Sequence, residues 1–358
     1  MQKRRLYFAF ILFPLSLIYG FVVFLRNFFF DAGILKSTRF PLPVISVGNL
    51  TAGGTGKTPH VEYIAGQLKR EHRIAVLSRG YKRRKKGFFL ADSGSAVKEI
   101  GDESRQIKSR FPDLVVAVDN KRVHGIERLM KDFPDLDAVI LDDAFQHRSV
   151  HPGLSIVLVD HERPVFRDYL LPLGNLRECR RNINRADLVV VTKCPPDMNA
   201  EQRESFAAKL HLHRGQPVFF TRYAYGNLMP VFENEIHAIE LHMEKKDNPV
   251  VFLVTGIADS SPLKKHLDQV LTIGGEMRFA DHHFYSTADI RTLEKRFMEL
   301  PAERKIILTT EKDATKLREL AGEFQKIGAF LYYIPIEVIF PDDGEKRFNE
   351  LVINFCRG

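Results

Sequence analysis

Residues 44–59, VISVGNLTAGGTGKTP, constrain the fold more than any other stretch of the chain. Residues 44–47 read as a buried strand, Gly48, Gly53, Gly54 and Gly56 as a tight loop, and Lys57 and Thr58 as the opening of a helix that runs to about Arg70. Strand, glycine-rich loop and helix in that order make a phosphate cradle. Backbone N–H groups have to approach phosphate oxygens closely, which excludes Cβ atoms, while a Lys neutralises charge and a Thr hydroxyl meets Mg²⁺. The strict G-x-x-x-x-G-K-[ST] pattern has Gly where this chain has Thr51, so the form here is GGxGKT.

AVILDDAFQH, residues 138–147, completes the machinery. It reads as an apolar strand from Ala138 to Leu141 that ends in Asp142 and Asp143, about ninety residues beyond the loop. A carboxylate at the carboxyl end of a neighbouring buried strand, beside the loop Thr58, is what a magnesium-binding element needs. His147 follows in the same turn and is a candidate for catalysis or substrate contact. Upstream, residues 73–78 form a short strand that opens into the basic turn 79–86, beginning with Arg79. This turn falls on the edge where α/β sheets place ligands, so contact with a phosphate or lipid headgroup and a plain solvated loop both stand as readings. In EIGDESRQIKSRF, Gly101 breaks the chain and Asp102 and Glu103 open a helix. Asp102 is either an N-cap or a functional carboxylate.

Further strands follow at residues 114–118, 154–160 and 187–193. The last ends in Thr192-Lys193, the start of a guanine-reading [NT]KxD motif, but Pro195 stands where the Asp is required and GTP specificity is not supported. Between them runs a long irregular segment with PLGNLRE at 172–178, the kind of loop that carries function. Residues 217–241 read as a hairpin turning at Gly226-Asn227. A second α/β unit then begins with NPVVFLVTGI. Repeated βα units with short links argue parallel sheets covered on both faces. The expected fold is therefore a P-loop NTPase-like α/β/α domain (31–216), a β-hairpin linker (217–245) and a second, smaller α/β domain (246–358). An N-terminal membrane-associated helix (1–30) precedes them.

That helix is the compositional exception. Residues 6–25 carry no formal charge and are flanked by Lys3, Arg4, Arg5 and Arg26. Twenty helical residues match the hydrocarbon thickness of a bilayer. No small-residue cleavage site follows, so a signal peptide is disfavoured and the body is expected in the cytoplasm. With Pro14, Ser16, Tyr19 and Gly20 inside, a span, a helix in the membrane plane and the core helix of a soluble domain are all open. The net charge of +8 favours acidic partners. Three cysteines without a CxxC pattern suggest neither disulfides nor zinc.

GNLTAGGTGKTP, LSRGYKR, GDES, ILDDAFQH, PLGNLRE, ADHHFY and TTEKDA occur in this order across the chain. The set closely resembles the tetraacyldisaccharide 4'-kinase (lipid A 4'-kinase) family. The resemblance implies transfer of the ATP γ-phosphoryl group to the 4'-hydroxyl of a lipid A disaccharide 1-phosphate, giving lipid IVA at the cytoplasmic face of the bacterial inner membrane. Nucleotide and lipid would meet between two α/β/α domains. ATP and Mg²⁺ are the cofactors it implies. Asn49, Thr51, Gly53, Gly54, Thr55, Gly56, Lys57 and Thr58 would hold the nucleotide, and Thr58, Asp142 and Glu178 the metal. Asp102 would be the catalytic base in a dyad with His282, with Asp143 and His147 nearby. Arg79, Arg177 and Glu178 would meet the lipid headgroup. Ser104 replaces the family's commoner Pro after GDE, and Ala144 its commoner Gly after the Asp pair.

A membrane-tethered switch ATPase is the rival reading, because GGxGKT also marks such proteins. It would need neither an acceptor base nor a second domain presenting DHH. A nucleic-acid role is not supported, since the single short basic run lacks interleaved aromatics. Nothing in the chain implies a protein partner.

Overall fold

A computed structural model describes residues 9–232, 238–241 and 245–357. The basic cluster Lys3–Arg5, the first residues of the apolar stretch and two pieces of the expected linker lie outside them. The first domain is an eight-stranded sheet in the order β3-β4-β2-β5-β1-β6-β7-β8. Its strands are β1 (Val44–Asn49), β2 (Ile74–Ser78), β3 (Phe89–Ala91), β4 (Val115–Val118), β5 (Ala138–Asp142), β6 (Leu154–Asp160), β7 (Leu188–Thr192) and β8 (Val218–Phe220). All pairs are parallel except β3 with β4. The central strands are buried along their whole length. Runs such as VISV, AVIL and LVVV supply the two apolar faces that a sheet covered on both sides requires. Because β1 and β5 are hydrogen-bonded neighbours, with Val47 paired to Asp142, the glycine loop and the Asp pair leave the sheet side by side.

The linker differs from expectation. No hairpin turns at Gly226-Asn227; within residues 217–241 the described fold-back is the antiparallel bridge of Leu228 with Ile239. Val218–Phe220 joins the first sheet as its edge beside β7, while β9 (Arg222–Tyr225) pairs antiparallel with β15 (Ile336–Ile339) from the far end of the chain. β10 (Met229–Pro230) starts the second sheet, with order β10-β14-β13-β11-β12. The remaining strands of that sheet are β11 (Val250–Thr255), β12 (Thr272–Arg278), β13 (Lys305–Thr310) and β14 (Leu331–Ile334). The Gly-Asn signal is local, but each flanking strand finds a more extensive partner at long range.

The second correction concerns the C-terminus. The helix Gly344–Arg357 packs on the first domain, against the helix Lys57–Leu68 that follows the loop. Phe348 and Val352 enter the core that holds Val61 and Ile64. The Phe348 ring lies 5.2 Å from that of Phe219 and 4.9 Å from that of Phe340, and Tyr63 donates to Asn349 at 3.0 Å. The chain thus crosses between domains twice, on β9 and on β15.

The N-terminal helix Ala9–Asp31 lies along the first domain on a polar stripe. Ser16 donates to the Leu170 carbonyl at 2.9 Å, Tyr19 to the Arg177 carbonyl at 2.8 Å, and Arg26 to the Gln146 carbonyl at 2.8 Å. Phe10, Phe13, Leu17, Phe21 and Phe24 face away from the protein and are exposed.

Phe348→Ala should cost about 3–5 kcal/mol, as for other fully buried aromatics, and shift the first domain's urea midpoint. An unchanged midpoint would mean that the terminal helix is not part of that core.

Candidate active site

The loop is held open by its surroundings. Gly53 and Gly56 have φ of 102° and 86°, the left-handed region that only glycine enters without strain. A Cβ on Gly56 would lie 1.8 Å from the Tyr223 hydroxyl, which reaches the loop from the linker strand β9. Asn49 donates to Thr55 Oγ1 at 2.7 Å inside the loop. The Gly54 carbonyl accepts from Lys193 Nζ at 2.6 Å and from Arg163 at 3.3 Å, and both cations pair with the buried Asp160. Residues 175–177 run beside the loop: Ala52 N donates to the Asn175 carbonyl and Arg177 N to the Leu50 carbonyl, both at 2.7 Å. Thr51 is thus a backbone partner of this segment, bridged to Leu176. The first turn of the helix Lys57–Leu68 contains no acidic residue, leaving its positive end for an anion.

His60 fixes that turn. Its Nδ1 donates to the Gly56 carbonyl at 2.8 Å, so Nε2 accepts from the Thr221 hydroxyl at 2.9 Å. Complete burial pushes its pKa down to about 4 against the pull of that carbonyl.

Around the loop opens a cleft of about 430 Å³ between the domains. Asp142 is buried at the end of β5, next to the loop strand β1, and neither carboxylate oxygen has a hydrogen-bond partner. Burial, then the charges of Glu103 and Asp143, push its pKa up to about 8, against Lys57 and Arg122. Asp143 pairs with Lys57 at 3.6 Å and with Arg177 at 3.1 Å. Burial opposes its charge, yet these cations hold its carboxyl below the ordinary range.

The second domain closes the other wall. His282 Nδ1 lies 2.7 Å from Asp102 Oδ2, a contact between residues 180 positions apart. Asp102 is 4% exposed. Burial works against its charge, but the His282 hydrogen bond and the Lys312 and Lys316 charges hold it far below the usual carboxylate pKa. His282 takes a left-handed backbone, φ 59°, at the tip of its turn. A second bridge lies alongside: Arg110 joins Glu62 at 2.9 Å to Glu311 at 3.6 Å. Burial and the facing Glu311 push Glu62 up to about 8.

Three expected residues lie elsewhere. His147 lines a separate pocket under the end of the N-terminal helix, together with Arg39, Arg148 and His151. Burial and the Arg122 and Arg79 charges push its pKa down to about 4. Glu178 is buried beneath the N-terminal helix and does not line the cleft; its Oε2 is held by Asn182 at 2.6 Å, Arg185 at 2.7 Å and Asn27 at 3.1 Å, while its Oε1 has no hydrogen-bond partner. Arg79 is exposed and does not line the cleft. Lys193, Arg163 and Tyr223 escaped the sequence reading; for Lys193 the signal was the Thr-Lys at a strand end, read only for base specificity.

Parallel sheet, phosphate loop, a buried carboxylate on the neighbouring strand and a second domain that delivers a His to an opposing Asp define a phosphate-loop phosphotransferase. Residues 8–356 match the family described as Tetraacyldisaccharide-1-P 4'-kinase. The Tetraacyldisaccharide 4'-kinase of Phocaeicola vulgatus is 43% identical over 355 residues, covering 97% of this chain and 94% of that one. The protein of the same name from Bacteroides thetaiotaomicron is 44% identical over 352 residues, covering 97% and 93%. Among solved structures, LpxK from Aquifex aeolicus in complex with ATP superposes with a TM-score of 0.73 at 29% identity, covering 96% of this chain and 98% of that one. The chain belongs to the tetraacyldisaccharide-1-P 4'-kinase family.

His60 gives a stability test with a definite sign. Its folded pKa lies below the unfolded value, so its contribution is complete above about pH 6.5 and is lost as pH falls toward 4. This amounts to about 3 kcal/mol at one pKa unit per 1.36 kcal/mol. His60→Asn should flatten the fall in unfolding free energy between pH 6.5 and 4; an unchanged slope would contradict the buried neutral state.

Proposed function

We propose that this chain transfers the γ-phosphoryl group of ATP to the 4'-hydroxyl of a tetraacyldisaccharide 1-phosphate, giving lipid IVA in lipid A biosynthesis. The observation that carries the mechanism is the Asp102–His282 hydrogen bond, placed across the cleft from the phosphate loop. The loop amides, the helix N-terminus and Lys57 bind the β- and γ-phosphates. The acceptor oxygen bonds to the γ-phosphorus as the bond from that phosphorus to the β–γ bridging oxygen breaks, and ADP leaves. The acceptor proton passes to Asp102. In a loose transition state that proton departs late, so a carboxylate of low pKa is sufficient if it is well placed. His282 orients Asp102 and supports its charge. Because it comes from the second domain, the base is complete only when the cleft is closed and water is excluded.

Thr58 and Asp142 would hold Mg²⁺. Two unpartnered oxygens on a buried carboxylate are a fit for it, and magnesium takes only one or two carboxylates beside the substrate phosphates. That agrees with the lack, among the described residues, of any cluster of three or more His, Cys, Asp or Glu side chains able to cage a metal. When bound, the ion neutralises phosphate charge. Arg177, braced by Asp143, presents its guanidinium at the cleft.

The N-terminal helix lies in the membrane plane at the cytoplasmic face. Its polar stripe is used by the protein, which leaves the phenylalanine-rich side for lipid. The acceptor makes this necessary: each buried CH₂ is worth about 0.8 kcal/mol, so a four-chain lipid stays in the bilayer and the enzyme has to come to it.

Asp102→Asn should lower transfer of labelled γ-phosphate to the purified lipid by about 10²–10⁴-fold with ATP binding intact. ATP hydrolysis that proceeds without lipid labelling in the wild type would favour the switch ATPase instead.

A further inference from the structure

One cation in the cleft has no role in this scheme. Lys312, in the first turn of the helix Glu311–Arg318, holds its ammonium 3.5 Å from Asp102 Oδ2 and 3.4 Å from Asp281 Oδ1, with its side chain 19% exposed. The helix gains nothing from it there. A lysine at a helix N-terminus opposes the macrodipole, and Glu311 and Asp313 in the same turn already complement that end. Its charge answers to what it faces. Burial disfavours the ammonium, but Asp102, Glu103 and Asp281 hold it protonated. Glu103 also acts on Asp142, so Lys312 and Asp142 share an electrostatic neighbour. The first domain supplies its own lysine from the opposite wall, Lys57 at Asp143.

We propose that Lys312 is a catalytic residue that pairs with the γ-phosphoryl oxygens during transfer, a cation carried into the site by the second domain. This rests on the ATP-dependent transfer described above. Phosphoryl transfer is accelerated chiefly by charge placed where it develops. With ATP bound, the ammonium moves from Asp102 to the phosphoryl group and neutralises oxygens that Lys57 meets from one side only. Asp102 is thereby relieved of a cation as the acceptor proton reaches it. Lys312 itself neither gives nor takes a proton; the bonds made and broken are those of the transfer.

The test compares wild type, Lys312→Met and Lys312→Arg as full-length proteins in detergent with purified acceptor lipid. For Lys312→Met, kcat should fall about 10²–10³-fold while the KM for ATP changes little, and Lys312→Arg should recover at least about tenfold of that loss. Binding of ADP with aluminium fluoride in the presence of acceptor should weaken in parallel, while ADP alone binds as in wild type, which also shows that the variant is folded. A Lys312→Met enzyme within about threefold of wild-type kcat would overturn the proposal. So would a loss erased by raising the pH, because a lysine that merely keeps Asp102 ionised becomes dispensable once the carboxyl is charged without it. Failure of the wild type to label the lipid would instead overturn the kinase reading, and this inference with it.

Discussion

The hydrogen bond from His282 to Asp102 is the contact on which the working arrangement depends. Each residue is unremarkable in its own domain. Asp102 opens a helix where an acidic side chain is favourable, and His282 sits at the tip of a turn in a strained backbone. Together they close a cleft whose floor is the phosphate loop. The neighbouring Arg110 bridge between Glu62 and Glu311 joins the loop helix, the Asp102 helix and the closing helix of the second domain. The proposed catalytic pair and the contact between the domains therefore share one set of side chains.

Beneath that closure the loop is prepared in advance. Asp160 gathers Lys193 and Arg163 at the Gly54 carbonyl, His60 pins the first helical turn, and the 175–177 segment braces the side of the loop. Tyr223 adds a wall from the linker, and its buried hydroxyl has no hydrogen-bond partner. The 175–178 segment also receives Tyr19 and Asn27 of the N-terminal helix, so that helix and the loop are two bonds apart in the same network.

Much of this was legible in the sequence. Val44–Asn49 and Ala138–Asp142 announced themselves as continuous apolar runs ending in glycine and aspartate, and their pairing set Lys57 beside Asp143. Asp102 and His282 were legible only through the ordered motifs of the family, since spacing alone does not bring residues 180 positions apart together. Misread elements share one cause, partners distant in sequence. Arg222–Tyr225 looks like half a hairpin, but its partner is Ile336–Ile339. Phe348 and Val352 have an amphipathic pattern that fits either domain. His147 and Glu178 follow motif residues closely, yet neither lines the cleft: His147 lines a separate pocket, and Asn27, Asn182 and Arg185 hold Glu178 Oε2. Nothing local in PLGNLRE signals that Glu178 Oε2 is bonded by Asn27 of the first helix as well as by Asn182 and Arg185.

The central claim is that Asp102 and His282 act as a unit across the domain boundary. A double-mutant cycle on kcat, using Asp102→Asn, His282→Ala and the pair, measures it directly. The account predicts strong non-additivity, with the double variant little slower than the slower single one. Effects that multiply independently would contradict it and leave the two residues with separate roles.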